Sequence, residues 1–174
     1  MDIRPGGYRD VVTGVLVAVD GSAVARQAAE QALQLLNGAD TRVTVVRVVR
    51  PVAPALVVGS GMAMATTGDV YAVESSTQSM VAEAEADVTA TAERLDVDAA
   101  TRVVVGDPGP ELCRLAAEGD YELLVVGSHG SGFLKRALLG SVSHHVLHHA
   151  PCPVLVVRGG AGDELGAAEA AGDR

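Results

Sequence analysis

The chain has 174 residues, 48% of them hydrophobic, which suits a single domain with a substantial core. Its formal charge of −9 at pH 7, without a local basic patch and with no Trp and one Phe to stack bases, argues against DNA and RNA as partners. No apolar core of signal-peptide length opens it and no run approaches the roughly 18 apolar residues of a membrane span, so a soluble, cytoplasmic protein without membrane partners is expected.

Residues 1–12, with Pro5, Gly6 and Gly7 and no periodicity, read as a flexible lead-in to a domain over 13–158. Val15 to Val19 is an unbroken apolar run of the kind found in strands buried on both faces, and it ends in Asp20-Gly21-Ser22. Ser22 suits an N-cap for a helix whose Ala25, Ala28, Ala29, Ala32, Leu33 and Leu36 share one face and which Gly38 stops. Thr41 to Val49 is mostly β-branched, the mark of a second strand. Pro51, Pro54, Gly59, Gly61 and Gly68 interrupt the next stretch, so 50–70 reads as a long mobile loop, either a lid over a ligand or a disordered insertion. From about Tyr71 a helical spacing returns through Val81, Ala84, Val88, Ala92 and Leu95.

Arg102 to Val105 forms a third strand, and Asp107-Pro108 is a start signal, with Asp as N-cap and Pro at the first helical position. Leu112, Leu115 and Ala116 are the buried face of that helix, and Gly119 ends it. A fourth strand, Leu123 to Val126, leads into a glycine-punctuated loop, a short helix opening at Gly140-Ser141 and closed by Pro151, and a last strand, Val154 to Val157. The tail, 159–174, alternates Gly, Ala and acids and reads as disordered and acidic. Strands alternating with helices imply an α/β domain with a mostly parallel sheet, helices on both faces and right-handed crossovers.

The loop after the fourth strand carries the chemistry. Gly127, Gly130, Gly140 and Ser141 stand at the spacing G-x2-G-x9-G-S. Glycine permits positive φ and lets backbone N–H groups approach a ligand, and a helix N-terminus directs unpaired N–H groups and a positive dipole end at an anion, usually phosphate. Turn glycines and an N-cap serine explain each residue singly, but not the fixed spacing after a buried strand. Neither GxxxxGK[ST] nor GxGxxG occurs, so the phosphates fall to backbone N–H groups and the hydroxyls of Ser141 and Ser143, with Lys135 or Arg136 within reach of a phosphate tail. Asp20 is repelled by bare phosphates and suits a sugar or base end, the plainer alternative being an Asx turn into the first helix. His144, His145, His148 and His149 lack a nearby Cys or carboxylate to complete a zinc site and read as a solvated helix face. His129 lies between two of the glycines, near any ligand there. Cys113 and Cys152 lack metal-knuckle spacing and read as small buried residues without a disulfide. No catalytic or metal-ligating residue is assigned.

The same glycine-serine segment, the sequel GSVSHHVLHHAPCPVLVV and the opening VAVDGS at Val17 to Ser22 resemble the universal stress protein family, from about Gly14 to Arg158. The resemblance implies a single open five-stranded parallel sheet of order 3-2-1-4-5, Rossmann-like and akin to the adenine nucleotide alpha hydrolases. It implies ATP as ligand, with Mg²⁺ or Mn²⁺ held through the phosphates, Asp20 at the ribose and Val48 at the adenine. The expected set is Val19, Asp20, Val48, Gly127, Gly130, Arg136, Gly140, Ser141, Val142 and Ser143. The function implied is a nucleotide-dependent regulator of stress response. The alternatives are a slow ATP-hydrolysing enzyme, a cyclic AMP binder of the same fold, or an interaction scaffold with a vestigial pocket, which the intact signature disfavours. An apolar last strand would be an exposed edge, so a homodimer through that strand is expected.

Overall fold

A computed structural model describes residues 12–36, 41–51, 67–95, 97–128 and 139–158. Nine elements alternate along it: β1 (Gly14–Ala18), α1 (Ala23–Leu36), β2 (Arg42–Val49), α2 (Thr67–Arg94), β3 (Ala99–Val105), α3 (Pro108–Glu118), β4 (Leu123–Gly127), α4 (Ser141–His149) and β5 (Val154–Val157). The strands form one five-stranded sheet in the order β3-β2-β1-β4-β5, and every neighbouring pair is parallel.

The unbroken apolar runs of β1 and β4 follow from this placement. Successive side chains of a strand point to opposite faces, and both faces are covered here. Val15, Val17, Val43, Val45 and Val125 point to one face, where α1 and α2 pack on them through Ala25, Ala28, Ala29, Ala32 and Val88, with Leu95 just past the end of α2. Leu16, Val46, Leu124 and Val126 point to the other face and meet Leu112, Leu115 and Ala116 of α3 and Val146 of α4. The alanine stripe of α1 brings that helix close to the sheet. Leu16, Leu115 and Leu124 are fully buried, so truncating any of them to Ala costs about 2–5 kcal/mol.

Ser22 caps α1 as its position predicts, its Oγ accepting the Ala25 N–H at 3.1 Å. Asp107 stands at the N-cap of α3 with Pro108 behind it, but its carboxylate makes no cap bond and pairs instead with Arg50 at 3.3 Å. The third helical position is Pro110, which has no N–H to donate to the cap. Gly119 ends α3 at φ −95°, and Asp120 takes the left-handed conformation, φ 48°, in its place. Asp tolerates that region through local hydrogen bonding.

Two elements begin earlier than the side-chain pattern indicates. β3 starts at Ala99 rather than Arg102, because β2 offers a continuous ladder from Val43 opposite Ala99 to Val49 opposite Val105. α2 starts at Thr67, and Gly68, read as a breaker, sits in its first turn, where a missing side chain costs little. Of the 50–70 segment, 52–66 lie outside the described residues, as do Gly38, residues 1–11 and the tail 159–174. Among the described residues no helix is long and apolar enough to cross a membrane.

Candidate functional site

β1 and β4 are adjacent and parallel, yet the helices that follow them leave to opposite faces, α1 with one core and α4 with the other. The chain therefore parts at the carboxyl ends of these two strands, and a crevice opens there. Its volume is about 450 Å³. Ala18, Val19 and Asp20 line it from β1 and its following turn, Gly127 from β4, and Gly140, Ser141, Val142 and Ser143 from the start of α4. Val46 to Arg50 close it from β2, Met80 and Glu83 from α2, and Pro108 and Leu112 from α3. Val19, Asp20, Val48, Gly127, Gly140, Ser141, Val142 and Ser143 thus converge on one cavity. Gly130 and Arg136, with Lys135 and His129, lie outside the described residues.

Asp20 makes the Asx turn. Its Oδ1 accepts the Ser22 N–H at 3.0 Å and the Ser22 hydroxyl at 2.6 Å. An ionised carboxylate offers about four acceptor sites, so the turn and a ligand hydroxyl are compatible uses of one side chain. Between them Gly21 takes φ 85°, the one positive-φ glycine among the described residues. The described glycines of the signature, Gly127 and Gly140, therefore differ from expectation, since neither takes positive φ. Gly140 has φ −61° and ψ 158°, which any residue adopts, so its lack of a side chain matters for approach rather than for backbone conformation.

Gly140 donates its N–H to the Ser128 carbonyl at 2.8 Å and accepts the His144 N–H at 2.9 Å, starting α4. The N–H groups of Ser141, Val142 and Ser143 open the helix without intrahelical acceptors, at its positive dipole end. The Ser143 side chain is buried and donates to the Gly127 carbonyl at 2.7 Å, stapling α4 to the end of β4. Its hydroxyl proton is spent there, so of the two serines only exposed Ser141 retains a hydroxyl to offer a phosphate.

The β2 wall is set by the ladder. Alternate residues of a parallel strand direct both N–H and C=O to the same neighbour. The Val46 carbonyl accepts the Val19 N–H on the β1 side at 2.9 Å, and the Val49 carbonyl accepts the Gly106 N–H on the β3 side at 2.9 Å. Val48 therefore turns its backbone groups toward β1, at a level where β1 has already ended at Ala18. A donor and an acceptor face the crevice together.

Sequence reasoning missed Arg47, Arg50, Met80 and Glu83 on this wall. Arg47 had a visible signal, being a charge inside the otherwise apolar run Val45 to Val49. Its guanidinium pairs with Asp87 at 3.4 Å and Glu83 at 3.7 Å, both on α2.

On α4, His144, His148 and His149 are exposed, while His145 is half-buried against Gly109 of α3, where a Cβ would come within 2.7 Å of its ring. The rings meet in i,i+4 pairs, tilted with centroids 4.7 Å apart for His144 and His148 and stacked at 4.3 Å for His145 and His149. Among the described residues no three His, Cys, Asp or Glu side chains are grouped to hold a metal ion. Cys113 and Cys152 are free, half-buried on the α3–α4 side of the sheet, and burial pushes both thiols above their ordinary pKa. Neither is an activated nucleophile.

The model of the universal stress protein family matches residues 13–158. The chain belongs to this family. Universal stress protein YxiE of Bacillus subtilis is 33% identical to it over 151 residues, 83% of this chain and 97% of that protein. The fold is that of universal stress protein UspA from Lactobacillus plantarum, with a TM-score of 0.68 at 24% identity over 84% of this chain and 98% of that one. A universal stress protein solved in complex with cAMP aligns with a TM-score of 0.54 at 26% identity, over 86% of this chain and 98% of that one.

Proposed function

We propose that this universal stress protein binds an adenine nucleotide, ATP in the first instance, and acts as a nucleotide-dependent regulator in stress response. The observation that carries the reading is the crevice itself, whose two ends differ in chemistry. At the α4 end, the N–H groups of residues 141–143 and the Ser141 hydroxyl suit phosphate oxygens. At the β2 end, apolar Val46 and the paired backbone donor and acceptor of Val48 suit an adenine edge. Asp20, between β1 and α1, suits ribose hydroxyls, and Val19 and Val142 complete the walls. A volume of about 450 Å³ is within the range of small-molecule sites and accommodates a nucleoside with its phosphates.

Gly130 and Arg136 extend the phosphate end in this reading, and Mg²⁺ or Mn²⁺ is carried in by the phosphates. The functional unit is 13–158, flanked by a lead-in and an acidic tail, in a cytoplasmic homodimer joined through β5. Cyclic AMP is the second reading, favoured by the related protein solved with that ligand.

Mass spectrometry of the small molecule released from purified protein distinguishes the ligands, with ATP expected. Calorimetry then tests the site: Gly140→Val should abolish ATP binding with the fold intact, because a branched side chain fills the approach to the phosphates. Ser141→Ala should lose about 1 kcal/mol, one hydroxyl contact. Unchanged affinity in Gly140→Val would remove the site assignment.

A further inference from the structure

The Asp20-Gly21-Ser22 turn aims the carboxylate at the crevice, and Gly21 within it carries no side chain to anchor it. The anchors come from outside. Arg26 of α1 donates through Nη1 to the Gly21 carbonyl at 2.8 Å. Arg47 of β2 packs its guanidinium against the Cα of the same residue, so close that a Cβ on Gly21 would stand only 2.9 Å from Nη1. Both arginines converge on one acid of α2. Asp87 Oδ1 accepts from Arg26 Nη1 at 3.0 Å, and Oδ2 accepts from Arg47 Nη1 at 3.4 Å. The Asp87 side chain is only 13% exposed, and those of Arg26 and Arg47 are 31% and 19% exposed.

From this geometry we propose that Asp87 is a positioning residue for the ribose end of the crevice, and that α2 thereby sets how strongly the site recognises the sugar. The inference rests on the reading that a nucleotide occupies the crevice with its ribose at Asp20. Two guanidinium groups flanking one glycine repel each other unless a carboxylate neutralises both. With Asp87 in place they clamp the turn from its carbonyl and its Cα sides. Without it, partly buried Arg26 loses its carboxylate and Arg47 is left with Glu83 alone, a solvent-exposed partner at 3.7 Å, which is the costly way to break such a cluster. They separate, the turn relaxes, and the Asp20 carboxylate loses its fixed direction. The phosphate end, built on α4 and Gly127, has no part in this cluster and is left as it was. Coupling is reciprocal, so an occupied ribose site in turn favours the seating of α2.

The test is ribose discrimination, a ratio that general destabilisation does not change. Calorimetry of the full chain with ATP, 2′-deoxy-ATP and 3′-deoxy-ATP should show the wild type preferring ATP over at least one deoxy analogue by about tenfold, as befits a hydroxyl bonded to a charged acceptor. Asp87→Asn should narrow that preference to about twofold or less while the affinity for the deoxy analogue stays nearly constant, and Asp87→Glu should restore most of it. Should Asp87→Asn fail to fold, Arg26→Met, which removes only the donor joining Asp87 to the Gly21 carbonyl, must give the same narrowing. A variant that keeps the wild-type ratio, or weakens all three ligands equally, overturns the role of Asp87. A wild type that binds ATP and both deoxy analogues equally overturns the placement of ribose at Asp20, and one that binds none overturns the nucleotide reading itself.

Discussion

At Gly21 the backbone conformation and the surroundings make the same demand. Its φ of 85° is disfavoured for any residue with a Cβ, and that Cβ would stand 2.9 Å from Arg47 Nη1. Arg47 is flexible and can swing aside, but the φ strain stays, so Gly21→Ala should lose about 1–2 kcal/mol in urea unfolding. Glu122 works at the other end of β1. Its carboxylate accepts the Thr13 N–H, the Thr13 hydroxyl at 3.0 Å and the Gly14 N–H at 3.3 Å. The Thr13 N–H bond chiefly, then its hydroxyl, with smaller help from the Gly14 N–H and the Arg42 charge, holds this carboxyl below its ordinary pKa. A depressed folded value means the stabilisation is fully present above the unfolded value, about 4.3, and is lost as pH falls through the lower folded one. Thermal unfolding of Glu122→Gln should therefore show a deficit at neutral pH that closes in acid. A deficit independent of pH would contradict this. Of the residues lining the crevice, Gly127, Gly140, Ser141 and Asp20 were legible because their spacing follows a buried strand. Asp87 was not, because its meaning comes from Arg26 and Arg47, which lie 61 and 40 positions away in the chain.

Elements were legible where burial is two-sided. β1, β2 and β4 announce themselves as apolar runs, whereas β3, an edge strand with exposed Thr101 and Arg102, shows only half its length in side-chain pattern and owes the rest to the β2 ladder. The two edges differ in a way that bears on assembly. Arg102 blunts β3, but β5 is Val154-Leu155-Val156-Val157 with no charge, and Val154 to Val156 are only half-buried. Leu124 of β4 and Ser128 just after it donate to the carbonyls of Pro153 and Val157, so by alternation Val154 and Val156 turn their N–H and C=O groups to the open edge. Light scattering at micromolar concentration should give a dimer, and Val156→Pro should give a folded monomer, since it removes an outward N–H and no bond to β4. A wild type that is monomeric, or a dimer indifferent to the proline, would exclude pairing through this edge.

For the molecule as a whole, the question is whether a crevice that suits a nucleotide also cleaves it. Phosphoryl transfer needs an aligned water, metal coordination and cationic charge on the transferring group. Among the described residues the carboxylates lining the crevice are Asp20 and Glu83. Asp20 is engaged by Ser22 in the turn where we place the ribose, and Glu83 belongs to α2 beside Arg47, on the β2 side of the crevice away from α4. Among the described residues the α4 end thus offers N–H groups and one hydroxyl, which stabilise a bound phosphate in its ground state as well as in any later one, and binding of that uniform kind does not accelerate chemistry. A net charge of −9 adds nothing to offset the charge developing on the leaving group. Single-turnover hydrolysis of ATP with Mg²⁺ should therefore run well below about 1 s⁻¹, the low end of ordinary turnover. We propose His129, which stands between Gly127 and Gly130 in the sequence, as the residue to orient a water, so His129→Ala should abolish whatever slow cleavage there is while leaving ATP affinity unchanged. A wild-type rate above that limit would make this protein an ATPase rather than a nucleotide-dependent regulator.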